Sequence, residues 1–142
     1  MTAIELINIK KYFKDGPDQI EALKETNLTI NKGEFVAVIG PSGSGKSTFL
    51  TIIGGLQSPS QGEVRLNGQA FSQKKEKARA KMRFDQIGFI LQASNLVPFL
   101  KIKDQLRLVD KVDKKKQRES IDSLFDQLGI ASIADKYPEE IS

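Results

Sequence analysis

One glycine-rich run, residues 40–47, limits the possible folds of this chain more than any other feature. It reads Gly-Pro-Ser-Gly-Ser-Gly-Lys-Ser and fits the pattern G-x-x-x-x-G-K-[ST]. The five residues before it, 35–39, are all apolar, which predicts a strand buried on both faces in a parallel sheet. Residues 46–54 behind it carry apolar side chains at helical spacing and end in a glycine pair. The order strand, glycine-rich loop, helix favours an α/β fold.

The residue types in this loop suit the binding of phosphate groups. Glycines allow positive φ, and successive backbone N–H groups with a helix N-terminus form an anion site. We expect Lys46 to reach the β- and γ-phosphates of a nucleotide, the Ser47 hydroxyl to bind Mg²⁺ and Thr48 to donate to the α-phosphate. The predicted nucleotide-binding residues are Gly40, Ser42, Gly43, Ser44, Gly45, Lys46, Ser47 and Thr48. The alternative is a plain glycine-rich turn with an exposed lysine, which needs neither the flanking strand nor the helix.

Composition excludes several other chemistries. The 142 residues, enough for one domain or a large part of one, include no cysteine and no histidine. Disulfides, thiolate nucleophiles, imidazole bases and histidine metal sites are therefore excluded. The apolar runs are too short for a transmembrane helix, and the N-terminus lacks the layout of a signal peptide, so we expect a soluble intracellular chain.

Charge is unevenly distributed along the chain. The net charge is +4, and the segment 73–118 carries a large excess of Lys and Arg over Asp and Glu. A basic segment suits nucleic acid, an anionic lipid surface or a solvated helix face. We favour the solvated face and expect no nucleic-acid partner.

Periodicity and turn residues predict the remaining elements. We expect strands at 3–9 and 21–30 separated by a turn at 15–18, and a hairpin at 63–71 turning at Asn67-Gly68. A further short strand is predicted at 86–91, and helices are predicted at 73–83, 101–109 and 114–128.

The flanks of the glycine-rich loop resemble a known family. Residues 40–48 with Ile53-Gly54-Gly55-Leu56 and Gly62-Glu63-Val64 are similar to the ATP-binding subunits of ABC transporters, above all the branch serving macrolide, lipoprotein and antimicrobial-peptide exporters. Ala22-Leu23-Lys24 and Lys32-Gly33-Glu34-Phe35 resemble the family's lead-in to the loop. The resemblance implies a P-loop NTPase core with an N-terminal antiparallel β subdomain (residues 1–91) and a Q-loop and helical-subdomain part (residues 92–142).

The resemblance also implies further site residues. Ile87-Gly88-Phe89-Ile90-Leu91-Gln92, followed by 95–98, is similar to the Q-loop region, so Gln92 is expected to contact Mg²⁺ and the attacking water. The family stacks an aromatic side chain on adenine, and the matching residue is Phe13, with Tyr12 as the alternative. Both aromatic residues could equally serve in packing.

The resemblance stops inside the family's signature motif, of which Ile141 and Ser142 would be the first two residues. The expected later parts are absent from the chain: the Walker B strand with its Asp and catalytic Glu, the D-loop and the switch histidine. Residues 106–110 offer the nearest acidic run, but an ordinary helix is the better interpretation. We therefore expect an incomplete ABC ATPase domain that hydrolyses ATP barely above background by itself.

The sequence is compatible with two main candidate functions. The first is an energy-coupling subunit at the cytoplasmic face of the membrane, without insertion, that pairs with a second ATP-binding subunit and docks a permease through residues 93–100, from Ala93 to Leu100. The second is a nucleotide-responsive regulatory module of the same fold acting on a non-transporting partner. A repair-type nucleic-acid ATPase using the basic segment is a third interpretation, ranked below both.

Overall fold

The computed structural model describes residues 1–91, 95–112 and 119–141. It divides the chain into two compact units, Met1–Phe89 and Ile90–Ser142. Unit 1 contains an antiparallel sheet and two helices, and the described part of unit 2 is helical. None of the helices in these described ranges has the length and apolar character needed to cross a bilayer.

The sheet of unit 1 has four strands in the order β2-β1-β3-β4. Their bounds are β1 Thr2–Asp15, β2 Asp18–Asn31, β3 Gln61–Leu66 and β4 Gln69–Ala70. A two-residue turn joins β1 to β2, with Asp15 opposite Asp18, and a second tight turn joins β3 to β4. The two predicted long strands and the predicted hairpin at 63–71 are confirmed, and both strands of the first pair extend beyond the predicted ends.

Helices α1 (Lys46–Ile53) and α2 (Glu76–Gln86) belong to the same unit. The buried side chains of the sheet and of both helices form one hydrophobic cluster. Its members are Leu6, Ile9, Phe49, Ile52, Val64, Leu66, Phe71 and Met82. Since α1 contributes two of these side chains, core packing holds the helix that follows the glycine-rich loop and so fixes where the loop ends.

The predicted strand at residues 35–39 is wrong for the structure described here. These residues do not form a strand, and the side chains of Phe35 and Ile39 are 97% and 89% exposed. Val38 alone among them packs against the core, and only partly. A strand is defined by backbone pairing, and no described strand pairs with this run, so an apolar sequence alone does not make one.

The predicted strand at 86–91 is wrong for the same reason. Gln86 is the last residue of α2, and residues 87–91 have no strand assignment. The side chain of Ile90 is 99% exposed. The predicted helix at 73–83 is confirmed, shifted to Glu76–Gln86.

The described part of unit 2 contains α3 (Ile102–Val112), α4 (Ile121–Gln127) and two 3₁₀ turns, Ala131–Ile133 and Pro138–Glu140. The predicted helix at 101–109 is confirmed. Of the predicted helix at 114–128, residues 114–118 lie outside the described residues, and α4 accounts for the end. Helix α4 begins after Ser120, whose Oγ accepts from Ser123 N at 3.1 Å, and Gly129 follows it with φ +68°.

Candidate functional site: a phosphate-binding loop before helix α1

The glycine-rich loop ends where α1 begins, at Lys46. Gly43 and Gly45 have φ of +77° and +86°, in the left-handed region that favours glycine. The N-cap residue of α1 is Gly45, and no side chain caps the helix there. Phe49 N donates to Gly45 O at 2.8 Å, so the helix starts directly from the loop. This is the loop-to-helix geometry that binds anions in nucleotide-binding proteins.

Gly45 also brings the loop against strand β2. A Cβ atom on this residue would lie 2.5 Å from Ala22 O, which is closer than real Cβ atoms come to backbone. Glycine is therefore favoured here for two reasons: the backbone has a positive φ, and there is no room for a Cβ atom beside strand β2.

A cavity of about 820 Å³ lies over the loop. Seven of the predicted nucleotide-binding residues line it: Ser42, Gly43, Ser44, Gly45, Lys46, Ser47 and Thr48. Gly40 lines a neighbouring cavity of about 350 Å³, together with Pro41 and Lys46. The structure thus brings the predicted loop residues together around two cavities that share Ser44, Gly45 and Lys46 in their lining.

The rest of the lining of the larger cavity comes from β2, which sequence reasoning did not assign to the site. Its lining residues are Ile20, Glu21, Ala22, Leu23, Lys24 and Thr26. The only signal in the sequence was the similarity of Ala22-Leu23-Lys24 to the family's lead-in. That similarity marks a position along the chain and says nothing about which side of the strand faces the loop.

The ammonium of Lys46 is bound within its own loop. Its Nζ donates to Gly40 O at 2.8 Å and to Pro41 O at 2.6 Å, and lies 3.5 Å from Ser44 Oγ. Neutral carbonyl oxygens are weaker acceptors for an ammonium than phosphate oxygens, which carry charge. Lys46 is therefore held at the loop and can exchange carbonyl oxygens for phosphate oxygens when an anion binds.

The two candidate stacking residues lie in β1, next to the cavity strand. Phe13 is opposite Ile20 and Tyr12 is opposite Glu21 in the β1–β2 register, and both partners line the cavity. Phe13 itself is 39% exposed, and the Nζ atom of Lys11 lies 5.1 Å from its ring centroid. Neither aromatic residue is itself among the residues that line the cavity, so the stacking role stays a prediction.

Of the two predicted metal contacts, the structure describes Ser47. The described residues contain no group of three or more acidic side chains placed to hold a metal. The Ser47 side chain offers one hydroxyl oxygen at the loop, which fits Mg²⁺ because that ion takes few protein ligands and is completed by phosphates and water. Gln92, the second predicted metal contact, lies outside the described residues.

The turn that enters the loop segment is held by Glu34. Its carboxylate accepts from Asn31 Nδ2 at 3.0 Å and from Asn31 N at 2.7 Å. The side-chain hydrogen bond, followed by the backbone one, lowers the pKa of Glu34 below its usual value. This ties the end of β2 to the start of residues 35–39.

Comparison with known proteins identifies the family. The family model described as ABC transporter matches residues 23–142, which include the loop, α1 and all of unit 2. The chain belongs to the ABC transporter family. This confirms the resemblance that the loop and its flanks predicted.

Several named relatives are ATP-binding proteins, and their names refer to hemin import, lipoprotein release and bacitracin export. HrtA of Staphylococcus haemolyticus, whose name assigns it provisionally to hemin import, is 42% identical over 99% of this chain and 64% of its own length. LolD of Saccharophagus degradans, a lipoprotein-releasing system ATP-binding protein, is 35% identical over 98% of this chain and 62% of its own. BceA of Halalkalibacterium halodurans, a bacitracin export ATP-binding protein, is 36% identical, with 57% of its length covered. The chain thus spans 57–64% of the length of these relatives.

Solved structures confirm the fold of an ABC ATPase cassette. The dimeric MJ0796 cassette, described as a bacterial ABC transporter cassette, matches with a TM-score of 0.86 at 37% identity, over 98% of this chain and 63% of that one. MJ0796 in a post-hydrolysis state bound to ADP and Pi matches with a TM-score of 0.86 at 36% identity, with the same coverage. The predicted α/β P-loop class with an antiparallel β subdomain is therefore confirmed.

Proposed function

We propose that this ABC chain binds Mg-ATP at residues 40–48 as part of a transporter's ATP-binding subunit. The observation that carries the proposal is the position of Lys46 Nζ, inside a loop that lines a cavity of about 820 Å³. Backbone N–H groups of the loop would hold the phosphates, and Lys46 would contact the β- and γ-phosphates. Thr48, also in the cavity lining, would donate to the α-phosphate.

The metal and the base would be bound at opposite ends of the nucleotide. Ser47 and Gln92 would hold Mg²⁺, which neutralises the charge on the phosphates when it is bound. Phe13 would stack on the adenine, with Tyr12 as the alternative. The exposed ring of Phe13, beside a strand that lines the cavity, supports this assignment.

Coupling to a membrane partner is the second part of the proposal. Residues 93–100 would receive a cytoplasmic segment of a permease, and the exposed apolar side chains of Leu96 and Phe99 support this. A second ATP-binding subunit would complete the nucleotide site, as the dimeric MJ0796 structures suggest by similarity. The chain would then act at the cytoplasmic face of the membrane through its permease. Residues 1–91 would form the P-loop and β-subdomain part, and residues 92–142 the Q-loop and helical-subdomain part.

Hydrolysis would depend on more groups than those of the phosphate-binding loop. Phosphoryl transfer to water needs a group that positions the water, besides the charge stabilisation that Lys46 and Mg²⁺ provide. The sequence contains no histidine to act as the family's switch residue. We therefore propose that the chain alone turns over ATP barely above background.

Titration with a fluorescent ATP analogue and Mg²⁺ tests nucleotide binding. We expect saturable binding by the wild-type chain and at least tenfold weaker binding by Lys46→Ala. The matched control is Lys77→Ala, which removes an exposed lysine from α2 and should leave binding unchanged. Equal affinity of the wild type and Lys46→Ala would refute the proposed site.

The same titration separates the two aromatic residues. Loss of a base-stacking side chain costs about 1–3 kcal/mol in binding. We expect Phe13→Ala to weaken binding of the analogue about tenfold or more and Tyr12→Ala to change it little. The reverse pattern would move the stacking role to Tyr12, and no change in either variant would remove the role from this strand.

A further inference from the structure

A side-chain amide in unit 2 binds both ends of a short turn. Leu100 N donates to Val97 O at 3.1 Å and closes the turn. Gln105 Oε1 accepts from Val97 N at 3.0 Å, and its Nε2 donates to Val97 O at 2.8 Å and to Leu100 O at 2.9 Å. One side chain therefore makes three hydrogen bonds with the backbone of the turn.

We propose that Gln105 is a positioning residue that holds residues 97–100 in the shape that docks the membrane-spanning partner. This inference rests on the proposed function of the same surface. Phe99 lies inside the turn, and its side chain is 76% exposed. Gln105 does not contact the partner in this proposal and acts only through the backbone that carries Phe99.

The chemistry of the amide explains why a glutamine serves this role. An uncharged carboxamide offers an acceptor oxygen and two N–H donors on one planar group. A carboxylate could still accept from Val97 N but would place its second oxygen against two carbonyl oxygens. An apolar side chain of the same length would leave all three backbone groups without this partner.

The helix that carries Gln105 is itself anchored at its start. Ile102 N and Lys103 N donate to Lys136 O and Ala134 O, each at 3.0 Å. These are N–H groups of the first helical turn, which have no partner within a helix. Gln105 N donates to Lys101 O at 3.2 Å. Gln105 therefore lies in the first part of a helix whose start is held by hydrogen bonds. Its side chain binds the turn to this helix.

A turn that already has its docking shape favours association, because less conformational entropy is lost when the partner binds. Residues 97–100 have a single cross-turn backbone hydrogen bond of their own in the described structure. Without the three bonds from Gln105, the turn would keep its exposed phenyl ring but would hold it in one orientation for a smaller fraction of the time. The predicted consequence is weaker docking with unchanged nucleotide binding.

Amide hydrogen exchange measured on the whole chain tests the bonds directly. We expect Val97 N–H to exchange at least tenfold faster in Gln105→Met than in the wild type. Gln105→Glu keeps the acceptor for this amide and should stay within about threefold. The control is Gln127→Met, because among the described residues the Gln127 amide donates to two side chains, Glu119 Oε2 and Ser123 Oγ. Unchanged exchange of Val97 N–H in Gln105→Met would overturn the proposal.

Docking is measured with the membrane-spanning subunit that co-purifies with this chain, reconstituted in lipid nanodiscs. We expect Gln105→Met to weaken its affinity for this chain about tenfold and Gln105→Glu to weaken it less. Binding of the ATP analogue and exchange in α4 should match the wild type in both variants, which shows that unit 2 is folded.

The outcomes distinguish the role of Gln105 from the proposal that residues 93–100 dock the membrane-spanning partner. If Phe99→Ser weakens docking while Gln105→Met leaves it unchanged, the docking surface stands and the role of Gln105 is refuted. If neither variant weakens docking, both the surface and the positioning residue are refuted. Nucleotide binding at residues 40–48 is judged separately by Lys46→Ala and is unaffected by either result.

Discussion

The two units of this chain are stabilised by different kinds of contact. In unit 1, eight buried hydrophobic side chains from the sheet, from both helices and from the end of the β3–β4 hairpin form one cluster. In the described part of unit 2, Phe125 is the one buried hydrophobic residue. Polar contacts determine the local shape of unit 2 instead. They are the hydrogen bonds of the Gln105 amide, the backbone hydrogen bonds to residues 134–136, and the ion pairs of Asp135 with Lys101 and Lys103.

The difference shows what each kind of contact can specify. Apolar burial is strong and non-directional, so it holds elements together but leaves the shape of a loop open. Hydrogen bonds contribute less each and depend on angle and distance, so they select one loop conformation. Even in unit 1 the loop at Gly45 is set by backbone geometry and space, while the core holds the helix behind it.

The largest expected effect comes from opening the core of unit 1. Phe71 is fully buried, and Phe71→Ala should lower the free energy of unfolding by about 3–5 kcal/mol, because a cavity is left behind. Phe35→Ala, at a side chain 97% exposed, should stay within about 0.5 kcal/mol. Denaturant unfolding followed by far-ultraviolet circular dichroism measures both. Equal losses would show that Phe35 is buried in solution and would contradict the exposed segment at 35–39.

The next effect separates backbone strain from space in the binding loop. Gly43→Ala meets nothing within 4 Å and should cost about 1–2 kcal/mol from its left-handed backbone alone. Gly45→Ala carries the same strain and adds the contact with Ala22 O, so it should destabilise unit 1 more and weaken binding of the ATP analogue more. Thermal unfolding and the analogue titration measure the pair. A Gly45→Ala variant as stable as Gly43→Ala would mean that the loop can move away from β2.

A polar contact within unit 1 should have an intermediate effect. Arg83 Nη1 donates to Gly55 O at 2.7 Å and so joins α2 to the residues after α1. Arg83→Leu should destabilise unit 1 by about 1–3 kcal/mol, because this carbonyl loses its partner. Lys81→Leu, at an exposed position on the same helix, should stay within about 0.5 kcal/mol. Equal unfolding midpoints in urea for the two variants would mean that the core alone holds α2.

The smallest effect is expected at the ion pairs of unit 2. Hydrogen bonds from Lys103 and then Lys101 hold the pKa of Asp135 below its usual value. A carboxyl group whose pKa is lowered by folding stabilises the fold above its unfolded pKa of about 3.9, and this contribution is lost as the pH falls through the lowered folded value. The effect is small because the Asp135 side chain is 65% exposed to solvent.

Thermal unfolding of the wild type and of Asp135→Asn between pH 2 and pH 7 tests this dependence. We expect the wild type to be the more stable chain at pH 7, the difference to begin to shrink near pH 4, and the two chains to converge only below the lowered pKa of Asp135. A difference that stays constant down to pH 2 would assign the effect to a neutral hydrogen bond and would contradict the ionic pairing.

Much of this protein could be predicted from local sequence. The glycine-rich loop, the helix behind it, the β3–β4 hairpin and the family followed from short runs of residues, because glycines, turn dipeptides and apolar spacing act within a few positions. The loop residues that line the cavity were predicted as a set for the same reason.

Tertiary structure alone decided the rest. Residues 35–39 and 86–91 have the apolar pattern of strands, but a strand needs a partner in space, and the described structure places none beside them. The cavity wall formed by β2 and the bonds of Lys46 with Gly40 O also depend on how distant segments or a whole loop fold together. Gln105 is an ordinary helical residue in the sequence, and only the folded chain brings its amide to both ends of one turn.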